Sequence, residues 1–242
     1  MIERDIEIRT PDGSMNTFVV HPDERGPFPV VLFYMDAPGK REELHDMARR
    51  IAAVGYYVVL PNLYYRTVRE FVMQRDEAGF KRMFELLHGL SIEMVLRDTA
   101  AMLAFVDAEP AARARSLGAV GYCMSGPFVV AAAARFPDRV QCAASIYGAG
   151  LVTDRPDSPH LILPQIRGEL YFACAEIDKY APKDQIDALE AQLAEAGIHY
   201  RLEWYPGAEH GFAFPHRAGI YHKPSAERHW ARLFALFRRN LG

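Results

Sequence analysis

The spacing of apolar residues switches repeatedly between a period of two and a period near 3.6, which divides the chain into alternating strands and helices. Ile2 to Arg9 alternates charge with isoleucine and reads as a strand; the stretch from Met1 to Thr10 has no apolar core of the kind a secretory signal carries. Asn16 to His21 predicts a second strand. The Pro11-Asp12-Gly13 turn between them predicts an antiparallel edge hairpin. Pro29 to Tyr34 is a short apolar run suited to a central strand, and Leu44, Met47, Ala48, Ile51 and Ala52 then recur at helical spacing ahead of a stop at Gly55. Tyr56 to Leu60 predicts the next strand.

From Pro61 to Ser91 the pattern weakens, with Tyr64, Tyr65, Phe71, Phe80 and Phe84 scattered among charges. A connection this long reads either as cover for a binding site or as a helical excursion with its own small core. Ile92, Val95, Leu96, Thr99, Leu103 and Val106 form one helical stripe ending before Pro110. Strands follow at 119 to 122, 140 to 147, 169 to 175 and 199 to 205, with helices after Gly126, over 182 to 196 and around Trp230, Leu233, Phe234 and Phe237. Such alternation predicts an α/β fold: a mainly parallel sheet with helices on both faces and an N-terminal antiparallel hairpin.

Composition narrows the functional classes. The chain has 242 residues, half of them hydrophobic, and no repeat or low-complexity linker, so residues 1 to 242 read as a single domain. A net charge of −3 does not suit nucleic acid or an anionic membrane. Residues 116 to 134 carry no charge, but Gly118, Gly121, Ser125, Gly126 and Pro127 interrupt them, which fits a buried strand, turn and helix rather than a membrane span. Three cysteines, at 123, 142 and 174, cannot all pair and show no C-x-x-C spacing. These features together predict a soluble cytoplasmic protein.

Candidate chemistry concentrates in Gly118-Ala-Val-Gly-Tyr-Cys-Met-Ser-Gly126, where a thiol sits at a glycine-flanked junction between strand and helix. A sharp turn there holds the side chain at the carboxyl end of a central strand, where open α/β sheets gather ligands. Pro127 suits the first helical position, and the helix N-terminus brings partial positive charge toward the sulfur. Cys123 is therefore the candidate nucleophile. Cys142 and Cys174 lie inside apolar strands and read as packing residues.

A candidate base, His210, lies in Pro206-Gly-Ala-Glu-His-Gly-Phe212 after the last strand, and a candidate acid, Asp178, follows the strand before it. Nucleophile, acid and base then appear at three strand ends in the order Cys, Asp, His, the chain order of α/β-hydrolases. Other readings of the same residues are a cap for Asp178 at the helix near Pro182 and an ordinary loop histidine for His210. A metal site built from His210, His216 and His222 is disfavoured, because steps of six residues do not bring imidazoles together on a helix.

With these motifs in place, the sequence resembles the dienelactone hydrolase family of the α/β-hydrolase fold over nearly its whole length. The features that carry the resemblance are the Gly-x-Cys-x-x-Gly elbow at 121 to 126, Asp178 before a proline-containing helix start, the Glu-His-Gly-Phe loop at 209 to 212 and the aromatic terminal helix. The resemblance implies hydrolysis of a lactone or ester through an acyl-cysteine, with Cys123, Asp178 and His210 as the triad and no metal or organic cofactor. It also implies an oxyanion hole from the backbone N–H groups of Ala37 and Met124.

Three positions depart from the family pattern: Asp36 stands where its founding enzymes carry a glutamate, Ser125 where glycine is usual, and Phe214 where dienelactone-cleaving members carry an arginine for the substrate carboxylate. An apolar ring cannot pair with that anion, so the expected substrate is a small ester or lactone other than dienelactone. Asp36, Tyr64, Tyr65 and Phe214 are the candidate substrate-binding residues. The alternatives are a ligand-binding or thiol-sensing protein on the same fold, and a thioesterase or peptidase with the same triad.

Overall fold

The computed structural model describes residues 1–242 and forms two units, Met1–Leu117 and Gly118–Gly242. In the first unit, β1 (Ile2–Thr10) pairs antiparallel with β2 (Gly13–His21), with Ile8 opposite Met15 and Thr10 opposite Gly13. Two residues make the turn, as the Pro11-Asp12-Gly13 signal predicts. β2 also pairs antiparallel with β4 (Tyr57–Pro61), which runs parallel to β3 (Phe28–Tyr34), so the strand order here is β1-β2-β4-β3. β4 is buried along its whole length, as strands covered on both faces are.

Helix α1 (Glu42–Ala52) connects β3 to β4 and buries Leu44, Met47, Ala48, Ile51 and Ala52, the stripe read from the sequence. The 61 to 91 segment contains α2 (Glu77–His88), begun by the Asp76 carboxylate accepting from the Gly79 N–H at 2.8 Å. Its buried positions include Met83 and Leu86, whereas Phe80 and Phe84 point outward. The segment thus contains a helix, which the helical-excursion reading expects and the binding-site-cover reading also permits. Helix α3 (Ile92–Asp107) begins at Ser91, whose side chain accepts from the Met94 N–H, and buries Val95, Thr99, Met102, Leu103 and Val106.

The chain passes from the first unit to the second along β5 (Ala112–Tyr122), which starts seven residues before its expected start at Ala119. The added residues, Ala112 to Gly118, contain Arg113 and Arg115, which mask a strand in a search for apolar runs. In the second unit β6 (Val140–Ile146), β7 (Glu169–Ile177) and β8 (Tyr200–Glu209) follow in the order β5-β6-β7-β8, with β6–β7 and β7–β8 parallel. Helix α4 (Gly126–Arg135) is buried at every position except Arg135, and its alanines let neighbours approach closely. Helix α5 (Lys183–Ala196) ends at left-handed Gly197, and α6 (Lys223–Leu241) buries Trp230, Leu233, Leu236 and Phe237. Phe237 and Leu241 press so closely on Gly118 that a methyl there would lie 3.0 to 3.1 Å from them. No helix is long and apolar enough to cross a membrane.

Candidate active site

The parallel strands of the second unit end in three loops that carry the candidate triad. After β5 the chain turns sharply: Cys123 has φ of +55°, a left-handed conformation that costs a non-glycine residue roughly 1–2 kcal/mol. The surroundings hold it there. The Cys123 carbonyl accepts from the Ala149 N–H at 3.1 Å. A Cβ on Gly121 would lie 2.4 Å from the Ser125 carbonyl oxygen, and one on Gly126 would lie 2.5 Å from both Gly148 Cα and Ser145 Oγ. Only glycine admits this approach. Pro127 sits in the first turn of α4, and Cys123, Met124 and Ser125 form a single 3-10 turn leading into it. Cys123 keeps intermediate exposure and is unpaired, whereas Cys142 and Cys174 are buried and also unpaired. Burial drives the Cys142 thiol far up and pushes that of Cys174 up to about 12, which fits inert packing residues.

The acid is aimed by a bulge. The β7–β8 register shifts between Ala175 and Ile177, where Ile177 lies opposite Glu209, and the next residue is Asp178. Its Oδ1 accepts from the N–H groups of Tyr180 and Ala181 at 2.8 and 3.1 Å. Its Oδ2 lies 2.7 Å from His210 Nδ1. The two side chains are only 1% and 9% exposed, so this contact is shielded from water. The His210 N–H donates to the Ile177 carbonyl at 3.2 Å, which ties the base loop back to the acid's strand.

The Nδ1 contact fixes the imidazole with its proton toward the carboxylate and leaves Nε2 as the reactive nitrogen. Nε2 is buried and meets strict hydrogen-bond geometry with no neighbour. Burial alone would lower the His210 pKa, but hydrogen bonding to Asp178 and to Cys123 outweighs it and raises the value to about 9.

Two tyrosine rings lie against the imidazole. Tyr147, with φ of +38°, meets His210 edge to face at a centroid distance of 5.1 Å, and Tyr180 does so at 4.8 Å. Neither was singled out from the sequence. The available signals were the Tyr147-Gly148 pair at the end of β6 and the position of Tyr180 two residues after the acid.

The remaining candidates are placed as follows. Phe214 is fully buried among Tyr122 and Tyr147, with the Arg217 guanidinium 4.5 Å from its ring centroid. Ser125 is buried in the 3-10 turn, whereas Cys123 keeps intermediate exposure there. In the first unit, Asp36 is fully buried, and Arg41 bridges its carboxylate to that of Glu43. The Ala37 carbonyl accepts from the Tyr64 hydroxyl at 2.9 Å. Tyr65 contacts Thr10 at 2.6 Å and donates to Asp98 at 2.8 Å. His222 Nδ1 lies 2.7 Å from Ser225 Oγ, and no three His, Cys, Asp or Glu side chains cluster as metal ligands.

Strand order, crossover helices and a tight strand-to-helix turn at Cys123, with Asp178 and His210 at later strand ends, fit an α/β-hydrolase fold. A sequence profile described as the dienelactone hydrolase family matches residues 15–241, and the chain belongs to that family. A Synechocystis protein provisionally named a carboxymethylenebutenolidase is 27% identical over 93% of this chain and 91% of its own length. A Methylorubrum extorquens protein with the same provisional name is also 27% identical, over 98% of this chain and 81% of its own. A Klebsiella pneumoniae crystal structure, provisionally described as a dienelactone hydrolase, superposes with a TM-score of 0.88 at 26% identity, covering 98% of both chains. The protein is a hydrolase of the dienelactone hydrolase type.

Proposed function

We propose that this hydrolase cleaves a lactone or carboxylic ester through an acyl-cysteine formed on Cys123. One observation carries the reading: a shielded His210, bonded through Nδ1 to Asp178 at 2.7 Å, has a buried Nε2 and a pKa raised in part by the Cys123 side chain. With its pKa raised to about 9, His210 already holds the thiol's proton on Nε2 near neutral pH, and Sγ bonds to the substrate carbonyl carbon, whose oxygen becomes an oxyanion. The Met124 N–H follows the nucleophile and serves as one oxyanion donor; the family resemblance adds the Ala37 N–H as the second. Collapse breaks the carbon–oxygen bond, and the departing alkoxide receives the proton from Nε2. Nε2 then deprotonates water, which attacks the thioester; the acid leaves, with the thiolate freed and the proton again on Nε2. Asp178 holds the imidazole and stabilises its charged form throughout.

Phe214 shapes the site through packing, since its ring has no exposed surface. Asp36 and Tyr64, buried like Phe214, act on the substrate side through their polar partners and packing, and Tyr65 remains proposed as a substrate-side residue. The profile match over nearly the whole length supports a single functional domain, and three unpaired thiols support a reducing, cytoplasmic setting.

The test combines turnover of short p-nitrophenyl esters with alkylation of Cys123 by iodoacetamide across pH. Wild type should hydrolyse the esters and alkylate at lower pH than His210→Ala. Identical alkylation profiles in the two proteins would show that His210 does not act on the thiol.

A further inference from the structure

Tyr180 has a place that the hydrolytic cycle leaves unassigned. Its backbone N–H is bonded to Asp178 Oδ1 at 2.8 Å, so the carboxylate that orients the base also fixes this residue. Its ring lies 4.8 Å from the imidazole, and the residue is still 45% exposed. Ile177, whose carbonyl accepts from the His210 N–H, is 58% exposed. Three large hydrophobic residues of the second unit are exposed, Leu161, Ile177 and Tyr180, and two of them flank the acid. Apolar surface left to water beside a shielded catalytic pair is a surface for a ligand.

Resting on the ester-hydrolase reading, we infer that Tyr180, with Ile177, forms an apolar subsite for the alcohol portion of the substrate and favours esters whose alcohol carries an aromatic or bulky apolar group. The argument is positional. In acylation the thiol proton passes through His210 Nε2 to the departing alkoxide oxygen, so that oxygen must come within hydrogen-bond reach of the imidazole. The group attached to it then lies beside whatever borders the ring, and Tyr180 is a fixed, half-exposed aromatic there. An anchored ring loses little freedom on contact, which favours binding of an apolar group.

Benzyl acetate and ethyl acetate provide the test, because both form the same acetyl-enzyme and differ only in the alcohol released. Tyr180→Ser should lower the ratio of kcat/KM for benzyl acetate to that for ethyl acetate about tenfold, while Tyr180→Phe preserves the ratio. A parallel fall for the two esters would mean that the ring serves the imidazole alone and would overturn the subsite, as would no change for either. A second measurement needs no turnover: benzyl alcohol should slow iodoacetamide alkylation of Cys123 in wild type more than ethanol does, and Tyr180→Ser should lose that protection. Absence of protection in wild type overturns the subsite. Protection in a protein that cleaves no ester would retire the hydrolase reading and leave the subsite standing.

Discussion

Each unit buries an aspartate against a basic side chain, and the two differ in what the basic partner leaves available. In the first unit Asp98 has no exposed surface and accepts from Arg66 Nη1 and Nη2 and from the Tyr65 hydroxyl at 2.7 to 2.9 Å. Arg66 is itself bonded to Asp12, so donors and acceptors there are matched and no proton is free to move near neutral pH. In the second unit Asp178 is equally shielded, but its partner is an imidazole with one nitrogen bonded and the other buried without a hydrogen-bond partner. Under the proposed mechanism, imidazole in place of guanidinium turns a structural ion pair into a proton relay. Burial raises the strength of both contacts; only the second has a site for chemistry left over.

Variants can break this contrast at each side. The largest effect is expected from Cys123→Ala, which should cut ester turnover by at least on the order of 10⁴-fold while leaving the fold intact, read by steady-state kinetics and circular dichroism. Asp178→Asn should lower kcat by about 10⁴-fold by permitting the wrong imidazole tautomer, with KM little changed. Asp98→Ala should act on the other quantity: breaking a buried pair costs about 3–5 kcal/mol of unfolding free energy in denaturant titrations. Loss of kcat comparable to that of Asp178→Asn in a still-folded Asp98→Ala protein would erase the distinction.

A smaller effect concerns pH. The folded pKa of His210 is about 9 against an ordinary value of 6.5. A group whose pKa rises on folding stabilises the fold fully below its unfolded value and loses that contribution as pH climbs through the folded one. Stability should therefore decline between about pH 6.5 and 9 by on the order of 1–3 kcal/mol, and His210→Gln should flatten that slope. Gly148→Ala is expected to cost about 1–3 kcal/mol, since the added methyl would lie 2.1 Å from Ser145 Oγ and 2.9 Å from Gly126 Cα. Thermal melts of the purified variant would measure it.

The parts of the molecule legible in sequence were those with a short-range signature. The hairpin at Pro11-Asp12-Gly13, the stripe of α1 and the buried runs of β3 and β4 follow from period and turn chemistry. The elbow was legible because a left-handed nucleophile needs small neighbours, and Gly121 and Gly126 are visible in the chain. The extent of α2 was hidden, because Phe80 and Phe84 face outward while Met83 and Leu86 face inward, which spreads apolar residues over two sides of the helix. The first half of β5 was hidden by its arginines.

By itself the sequence determined the alternation of strands and helices, the glycine-bounded turn at Cys123 and the order in which thiol, carboxylate and imidazole leave successive strands. These depend on residues within a few positions of one another. Only the tertiary structure decided that the β7 bulge aims Asp178 at His210, that Nε2 is buried, and that Tyr147 and Tyr180 lie against the imidazole. Those contacts join segments thirty or more residues apart, apart from the local tie of Tyr180 to Asp178, and their geometry comes from strand register and packing, for which no local pattern of residues is a code.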